Sequence, residues 1–236
     1  DAGFDELLPE HPRDRSCQYW TPMAVATVAA RRLSEHGAHN VLDVGCGPGK
    51  FCIIAAKQRP GLRLWGVEQR PDLVLLAQAL QRRFDLQNAH FAVGDATRFS
   101  WDCYDGFYFF NPFGENLFGD YDRYDDAVEL SKARFAGDLL RVEQQLAQAA
   151  IGTVVVTYHG LGGPIPSSYD LMEDDQAGSD RVRTWVRRRA RNEAWSWIET
   201  YGDVIPTPRD DVRRILELDT LGPSPGSEFN EPGERG

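Results

Sequence analysis

Three short stretches of this 236-residue sequence carry residue types whose spacing could do chemistry. VLDVGCGPGKF, residues 41–51, runs apolar, breaks into glycines at positions 45, 47 and 49, and resumes as an apolar segment. Glycine accepts positive φ and lacks a side chain, so Gly45, Gly47 and Gly49 would let the backbone come within contact distance of a ligand. Asp43 stands just ahead of them. Glu68 and Asp95 each close a short apolar run, and a carboxylate there can accept hydrogen bonds from hydroxyl or amino groups. FYFFNPFGEN, residues 107–116, ends an aromatic run on Asn111-Pro112-Phe113.

The elements that must position these residues alternate along the chain. A helix is expected from about Thr21 to His36, with proline in its first turn and Gly37 at its end. The strand NVLDVG, the helix KFCIIAAKQ stopped by Pro60-Gly61, and the strand RLWGVEQ follow. Then come a helix over about 71–84, the strand AHFAVGDA, a short connection, and the strand YDGFYFFNPF. An amphipathic helix over about 122–150 leads to a fifth strand, GTVVVTYHG. Strands separated by helices imply a parallel, doubly wound α/β sheet covered on both faces. In such sheets ligands bind beyond the carboxyl ends of the strands, where all three stretches fall.

YDLMEDDQ and DRVRTWVRRR, joined by AGS, read as a hairpin that adds one antiparallel strand at the end of the sheet, making seven strands. EAWSWIETYG and PRDDVRRILEL fit two short helices or a strand and a helix. The tail is rich in Gly, Pro, Ser and Glu and is expected to be disordered. The organisation is therefore a segment and helix over 1–36, one domain over 37–221, and a tail over 222–236.

A 42% hydrophobic and 26% charged composition is ordinary for a globular chain. The formal net charge of -10 repels polyanions and makes a nucleic-acid partner unexpected. Cys17, Cys46, Cys52 and Cys103 form no CxxC pair and no zinc-spaced cluster, so reduced thiols and no metal are expected. No stretch has the ~20 apolar residues of a membrane helix. The acidic, proline-containing start is unlike a signal peptide, and a cytoplasmic location is expected. The sequence opens on Asp1 rather than methionine, so further native N-terminal residues are expected ahead of it.

A dinucleotide-binding GxGxxG turn would need a third glycine where this chain has Lys50. Asp43-x-Gly45-x-Gly47-x-Gly49 instead resembles the D/ExGxGxG turn of class I S-adenosylmethionine-dependent methyltransferases, and the order and spacing of motifs over about residues 40–160 are similar to that family. The resemblance implies S-adenosyl-L-methionine as cofactor, with Asp43 orienting its amino group and Glu68 taking the ribose hydroxyls. Asp95 would take the adenine amino group, with Gln69 and Ala96 flanking the ring. Asn111-Pro112-Phe113 resembles the (D/N/S)PP(Y/F) motif of enzymes that methylate planar or amide nitrogens. On that likeness the Asn111 oxygen and the Pro112 carbonyl hold the target amino group, and Phe113 stacks on it. The motif has two prolines and this chain one, which alters the path to the aromatic. An asparagine-phenylalanine variant in some protein-lysine methyltransferases keeps a lysine amine as a further acceptor. Tyr19 and Trp20 stand where related enzymes close a lid over the cofactor.

The leading reading is methyl transfer to a nitrogen of a protein or small molecule. A small-molecule oxygen acceptor is the alternative, with His159, beside Tyr158 at the end of the fifth strand, as its base. A cofactor-binding module without chemistry is a third, and an NAD-dependent oxidoreductase is disfavoured by the glycine spacing. Glu115 and Asn116, just beyond Phe113, are placed to touch cofactor or substrate, or to cap the next helix or face water. Arg181, Arg183, Arg187, Arg188, Arg189 and Arg191 read as the salt-bridged outer face of the hairpin, with Trp185 as a conceivable base-stacking ring. The acceptor, the number of methyl groups and the oligomeric state stay open.

Overall fold

The computed structural model describes residues 1–190. The segments expected at 193–202 and 208–218, the tail and Arg191 lie outside the described residues. Five strands, β1 (Asn40–Val44), β2 (Arg63–Glu68), β3 (Ala89–Val93), β4 (Gly106–Phe110) and β5 (Val154–Tyr158), pair in parallel in the order β3-β2-β1-β4-β5. The chain winds outward from β1 in one direction and from β4 in the other. A crevice therefore opens beyond the carboxyl ends of β1 and β4, the place where this architecture takes ligands.

The hairpin is formed by β6 (Tyr169–Ala177) and β7 (Asp180–Arg187), but its antiparallel strand does not take the rim. β7 inserts against β5 and leaves β6 at the edge. Composition explains the choice: Val182, Trp185 and Val186 of β7 are buried, while β6 carries Asp170, Glu173, Asp174 and Asp175. A charged outer strand resists pairing with another chain.

Helices α4 (Met23–Glu35), α5 (Lys50–Gln58) and α6 (Pro71–Arg83) cover one face. Val25, Ala26, Ala29, Ala30 and Leu33 form a fully buried stripe on α4 at helical spacing. The other face packs Leu42, Val44, Phe107, Phe109 and Val155 against Trp101 and against Val142 and Leu146 of α7 (Lys132–Gln148). Helix α7 starts ten residues later than its apolar periodicity suggests. Ser131 caps it by accepting from Arg134 N at 3.1 Å, and the acidic residues before it form a loop in which Asp125 accepts from Ala127 N at 3.0 Å.

Ahead of α4, three short helices, α1 (Ala2–Asp5), α2 (Glu10–Asp14) and α3 (Ser16–Tyr19), seat Phe4, Leu8 and Trp20 in the core shared with α4 and α5. Their anchor is Lys50, the first residue of α5, which is 2% exposed. Its Nζ lies 2.8 Å from Asp5 and 2.9 Å from Asp1, and Ser16 Oγ donates to Asp5 at 2.7 Å. A buried ammonium is tolerable only with such partners. Among the described residues, no helix is long and apolar enough to cross a membrane.

Asp5→Asn, which leaves Asp1 as the only carboxylate on Lys50, is expected to lower stability by about 1–3 kcal/mol. Chemical denaturation measures this, and limited proteolysis should cut faster within residues 1–20.

Candidate functional site

The sequence-expected residues converge on a cavity of about 370 Å³ beyond the carboxyl ends of β1, β2, β3 and β4. Gly45, Glu68, Gln69, Asp95, Ala96, Asn111, Pro112 and Phe113 all line it. The volume falls within the usual range for a small-molecule site. Gly47 and Gly49 lie in the same turn but do not line the wall. A Cβ on Gly47 (φ 53°) would sit 2.5 Å from the Trp20 ring, and one on Gly49 (φ 78°) would sit 2.7 Å from Phe91 and 2.9 Å from Ala77. Both positions thus require glycine for close packing as well as for backbone angle.

Glu68, at the end of β2, is 8% exposed. Its Oε1 accepts from Gln69 N at 2.7 Å and Arg70 N at 3.0 Å, and its Oε2 accepts from Gly47 N at 3.1 Å. A carboxylate offers roughly four acceptor directions, so one remains, on Oε2. Burial raises the Glu68 carboxyl above its ordinary value, against the pull of Arg70 and these N–H donors. Asp95 accepts from Thr97 N and Oγ1 at 2.9 and 2.7 Å and pairs with Arg98 and Arg134. Burial pushes its carboxyl up, but the Thr97 bonds and the two guanidinium groups outweigh that and hold it below the usual range. Ala96 receives the Trp101 indole N–H on its carbonyl at 2.8 Å.

Arg134 was not legible as a site residue. It reaches from α7 to the Gln69 side chain and to Asp95 and Asp138, tying the two strand ends together. Its i,i+4 spacing from Asp138 was visible in the sequence, but the 65-residue reach to Gln69 was not.

At the end of β4, Asn111 has φ 39°, and its backbone N–H donates to Gly160 O at 2.9 Å. A Cβ on Gly114 would press on the Asn111 amide at 2.3 Å, so the side chain rests directly on that glycine. The amide makes no hydrogen bond among the described residues. Phe113 is 5% exposed and belongs to the core beneath the cavity. Glu115 and Asn116 are neither solvent-facing nor free. Glu115 accepts from Arg70 at 2.9 Å and Tyr124 N at 2.7 Å, while Asn116 accepts from Ser131 N at 3.1 Å and donates to Phe113 O at 3.0 Å. They bind the loop after β4 to its neighbours.

The profile of a family described as a methyltransferase domain matches residues 35–127. The cobalt-precorrin-6B C(15)-methyltransferase (decarboxylating) of Salmonella typhimurium is 34% identical over 76 residues, 32% of this chain and 40% of that enzyme. The tRNA (guanine-N(7)-)-methyltransferase of Synechocystis is 41% identical over 54 residues, 23% of this chain and 26% of that enzyme. An RNA methyltransferase from Salinibacter ruber, solved with S-adenosyl-L-homocysteine, superposes with a TM-score of 0.51 at 20% identity, covering 74% of this chain and 97% of that one. Residues 35–127 of this chain are thus similar to a methyltransferase domain. The cofactor of this methyltransferase family is S-adenosyl-L-methionine. The chain spans less than half the length of these two curated relatives.

Asp43 is set apart from the main cavity. It lines a second cavity of about 20 Å³ beneath Trp20, with Lys50, Cys46 and Phe51, and accepts from Cys52 Sγ at 3.4 Å. Burial, with Glu68 adding to it, pushes its carboxyl up to about 7, and the Cys52 bond opposes this. Tyr19 and Trp20 both line the main cavity. The Trp20 ring lies 5.5 Å from Tyr124, the Trp20 indole N–H donates to Pro12 O at 2.7 Å, and the Tyr19 hydroxyl donates to Asp122 O. Burial and the Glu115 carboxylate push the Tyr19 phenol up to about 12.

The hairpin arginines pair as read from their alternation, with two corrections. Arg181 and Arg183 meet Asp174, and Arg189 meets Asp170. Arg187, however, is buried and donates to Ala147 O at 2.9 Å. Trp185 packs in the core of the α7 face rather than standing out to stack a base.

A carboxyl whose folded pKa exceeds its unfolded value holds a proton that the unfolded chain releases. The contribution of Asp43 to stability therefore falls as pH rises from about 4 to 7. Asp43→Asn should flatten the slope across that window by up to about 1.4 kcal/mol per pH unit, measured by denaturant titration at each pH.

Proposed function

We propose that this chain transfers a methyl group from S-adenosyl-L-methionine to a nitrogen of a protein, nucleic acid or small molecule in the cytoplasm. The observation that supports a nitrogen acceptor is the Asn111 side chain. Its amide stands in the cavity wall without a partner among the described residues, on a backbone held at φ 39° by Gly160 and next to Pro112. A polar group fixed this way, with an unused oxygen acceptor, suits a ligand N–H. In the resemblance noted above, that oxygen and the Pro112 carbonyl would hold the amino group while Phe113 bounds its plane.

The residues present also fit the cofactor. The cavity wall offers Glu68 with one unused acceptor direction and Asp95, and Arg70, the one guanidinium or ammonium in that wall among the described residues, is already paired with Glu115 and Asp125. Such an acidic lining suits a ligand with hydroxyl and amino hydrogens and a positive charge. When bound, S-adenosyl-L-methionine supplies an activated methyl on a sulfonium. Glu68 would hold ribose hydroxyls, Asp95 with Gln69 and Ala96 the adenine, and the turn at Gly45 the amino acid end, with Gly47 and Gly49 shaping that turn and Asp43, in its own small cavity, acting on the amino group only through the turn or a water. Trp20 and Tyr19 would exclude water, and little other catalysis is demanded beyond aim and dryness.

The net charge of -10 argued against nucleic acid, but a relative named as a tRNA methyltransferase is 41% identical to this chain over 54 residues. RNA therefore stands among the acceptor classes to be screened.

Calorimetric titration with S-adenosyl-L-methionine and S-adenosyl-L-homocysteine tests the cofactor. Binding is expected for the wild type, and Glu68→Ala should weaken it at least tenfold, about 1.4 kcal/mol. Absence of binding by the folded wild type would sink the proposal. In a transfer assay with tritiated methyl donor against fractionated RNA, protein and small-molecule extracts, Asn111→Ala is expected to lower kcat at least tenfold while donor affinity stays within twofold. An unchanged kcat would exclude Asn111 as the acceptor-holding group.

A further inference from the structure

A hydrogen-bonded chain of three side chains runs from the buried end of β5 to the rim of the same cavity. Tyr158, His159 and Ser179 all line it, and Asp180 stands behind the histidine. His159 Nδ1 lies 3.0 Å from Asp180 Oδ2, His159 Nε2 lies 3.3 Å from Ser179 Oγ, and Ser179 Oγ lies 3.0 Å from the Tyr158 hydroxyl.

The direction of each bond follows from counting hydrogens. The Tyr158 oxygen already accepts from Ser179 N at 3.2 Å, and the side chain is 1% exposed. A buried phenol must place its own hydrogen, and its partner is Ser179 Oγ. In the neutral ring, whose one hydrogen Asp180 draws to Nδ1, Nε2 is then the acceptor of the serine hydrogen. The other ring nitrogen, Nδ1, carries the imidazole hydrogen and donates it to Asp180. The chain therefore holds the tautomer whose Nε2 has a lone pair, and engages that lone pair only through a long hydroxyl bond.

The backbone supports a built arrangement. His159 sits at φ 55°, a conformation uncommon outside glycine, and strain of this kind persists where surrounding contacts enforce it. The ring is held between Phe110, at 5.5 Å, and Tyr158, at 4.4 Å. The hairpin turn packs directly on the phenol, since a Cβ on Gly178 would lie 2.9 Å from the Tyr158 oxygen. The groups facing His159 are thus Asp180 and Ser179 from the hairpin, Tyr158 from its own strand and Phe110 from β4. Ser179 is not placed as a nucleophile, because its backbone N–H, which an oxyanion would need, is donated to Tyr158.

We infer that His159 is a catalytic base for the transfer, Nε2 taking the hydrogen of an acceptor N–H or O–H that displaces the Ser179 hydroxyl, with Asp180 as the positioning residue. The inference rests on the methyltransferase reading. The acceptor lone pair forms the new bond to the methyl carbon, and the carbon–sulfur electron pair leaves with sulfur as a neutral thioether. The acceptor proton passes to Nε2, and the imidazolium, stabilised by Asp180, releases it to water. The acceptor is accordingly one that must lose a proton to be methylated, an amine, amide or hydroxyl, and not a ring nitrogen with a free lone pair and no hydrogen.

Long-range nitrogen–proton correlation spectra of the full chain report which imidazole nitrogen bears hydrogen. Nδ1–H with bare Nε2 is expected for His159 in the wild type, and loss of that preference in Asp180→Asn. An Nε2–H tautomer in the wild type overturns the inference. Single-turnover transfer from tritiated donor to aniline and to phenol, as N–H and O–H probes at saturating concentration, gives the chemical test. His159→Gln is expected to be at least tenfold slower, to lose the fall in rate on acidification, and to bind donor as the wild type does. Equal rates in the two proteins, or transfer to neither probe by a wild type that binds donor, overturn the inference. A wild type that binds no donor instead removes the methyltransferase reading beneath it.

Discussion

The carboxylate of Glu68 ties the end of β2 to the turn after β1: one oxygen gathers the N–H groups of Gln69 and Arg70 while the other takes that of Gly47. These N–H groups cluster at the open ends of parallel strands, where the ladder no longer supplies acceptors, so an anion there satisfies donors that would otherwise be buried unpaired. The price is a desolvated carboxylate, raised above its ordinary pKa. Much of the site follows from this contact. It sets the height of Gly47, on which Trp20 lies, and leaves one acceptor direction facing the cavity.

Around that contact the charges are arranged in pairs that cross between elements. Arg70 joins Glu115 and Asp125, Arg134 joins Gln69, Asp95 and Asp138, and Lys50 joins Asp1 and Asp5. Each links a loop or one of the short N-terminal helices to the sheet or to a longer helix, so the loop after β4 and the residues before α4 are positioned by buried polar contacts as well as by apolar packing. Because such pairs leave few cations unspent in the cavity wall, the lining is acidic. Such a lining suits the cationic donor proposed above.

The expected elements agree closely with the structure wherever apolar periodicity was uninterrupted. The strands at 40–44, 63–68 and 154–158 and the helix at 71–83 are examples, because alternation or a helical stripe leaves only one face to bury. Agreement failed where side-chain hydrogen bonds compete with the backbone. The acidic stretch before Lys132 kept helical spacing, yet Asp125 and Ser131 captured backbone N–H groups and delayed the helix. Glu115 and Asn116 were readable as polar, but their partners, Arg70 and Ser131, lie 45 and 15 residues away.

Taken alone, the sequence determined the doubly wound sheet and the placing of the glycine turn, Glu68, Asp95 and Asn111 at strand ends, because each depends on local spacing and side-chain chemistry. Tertiary structure alone decided which of these face the large cavity. It set Asp43 in a separate small one, laid Trp20 over Gly47, brought β7 rather than β6 against β5, and thereby delivered Ser179 and Asp180 to His159. The reason is that strand order and register are settled by the burial of whole faces, and contacts between residues far apart in the chain exist only once that burial is complete.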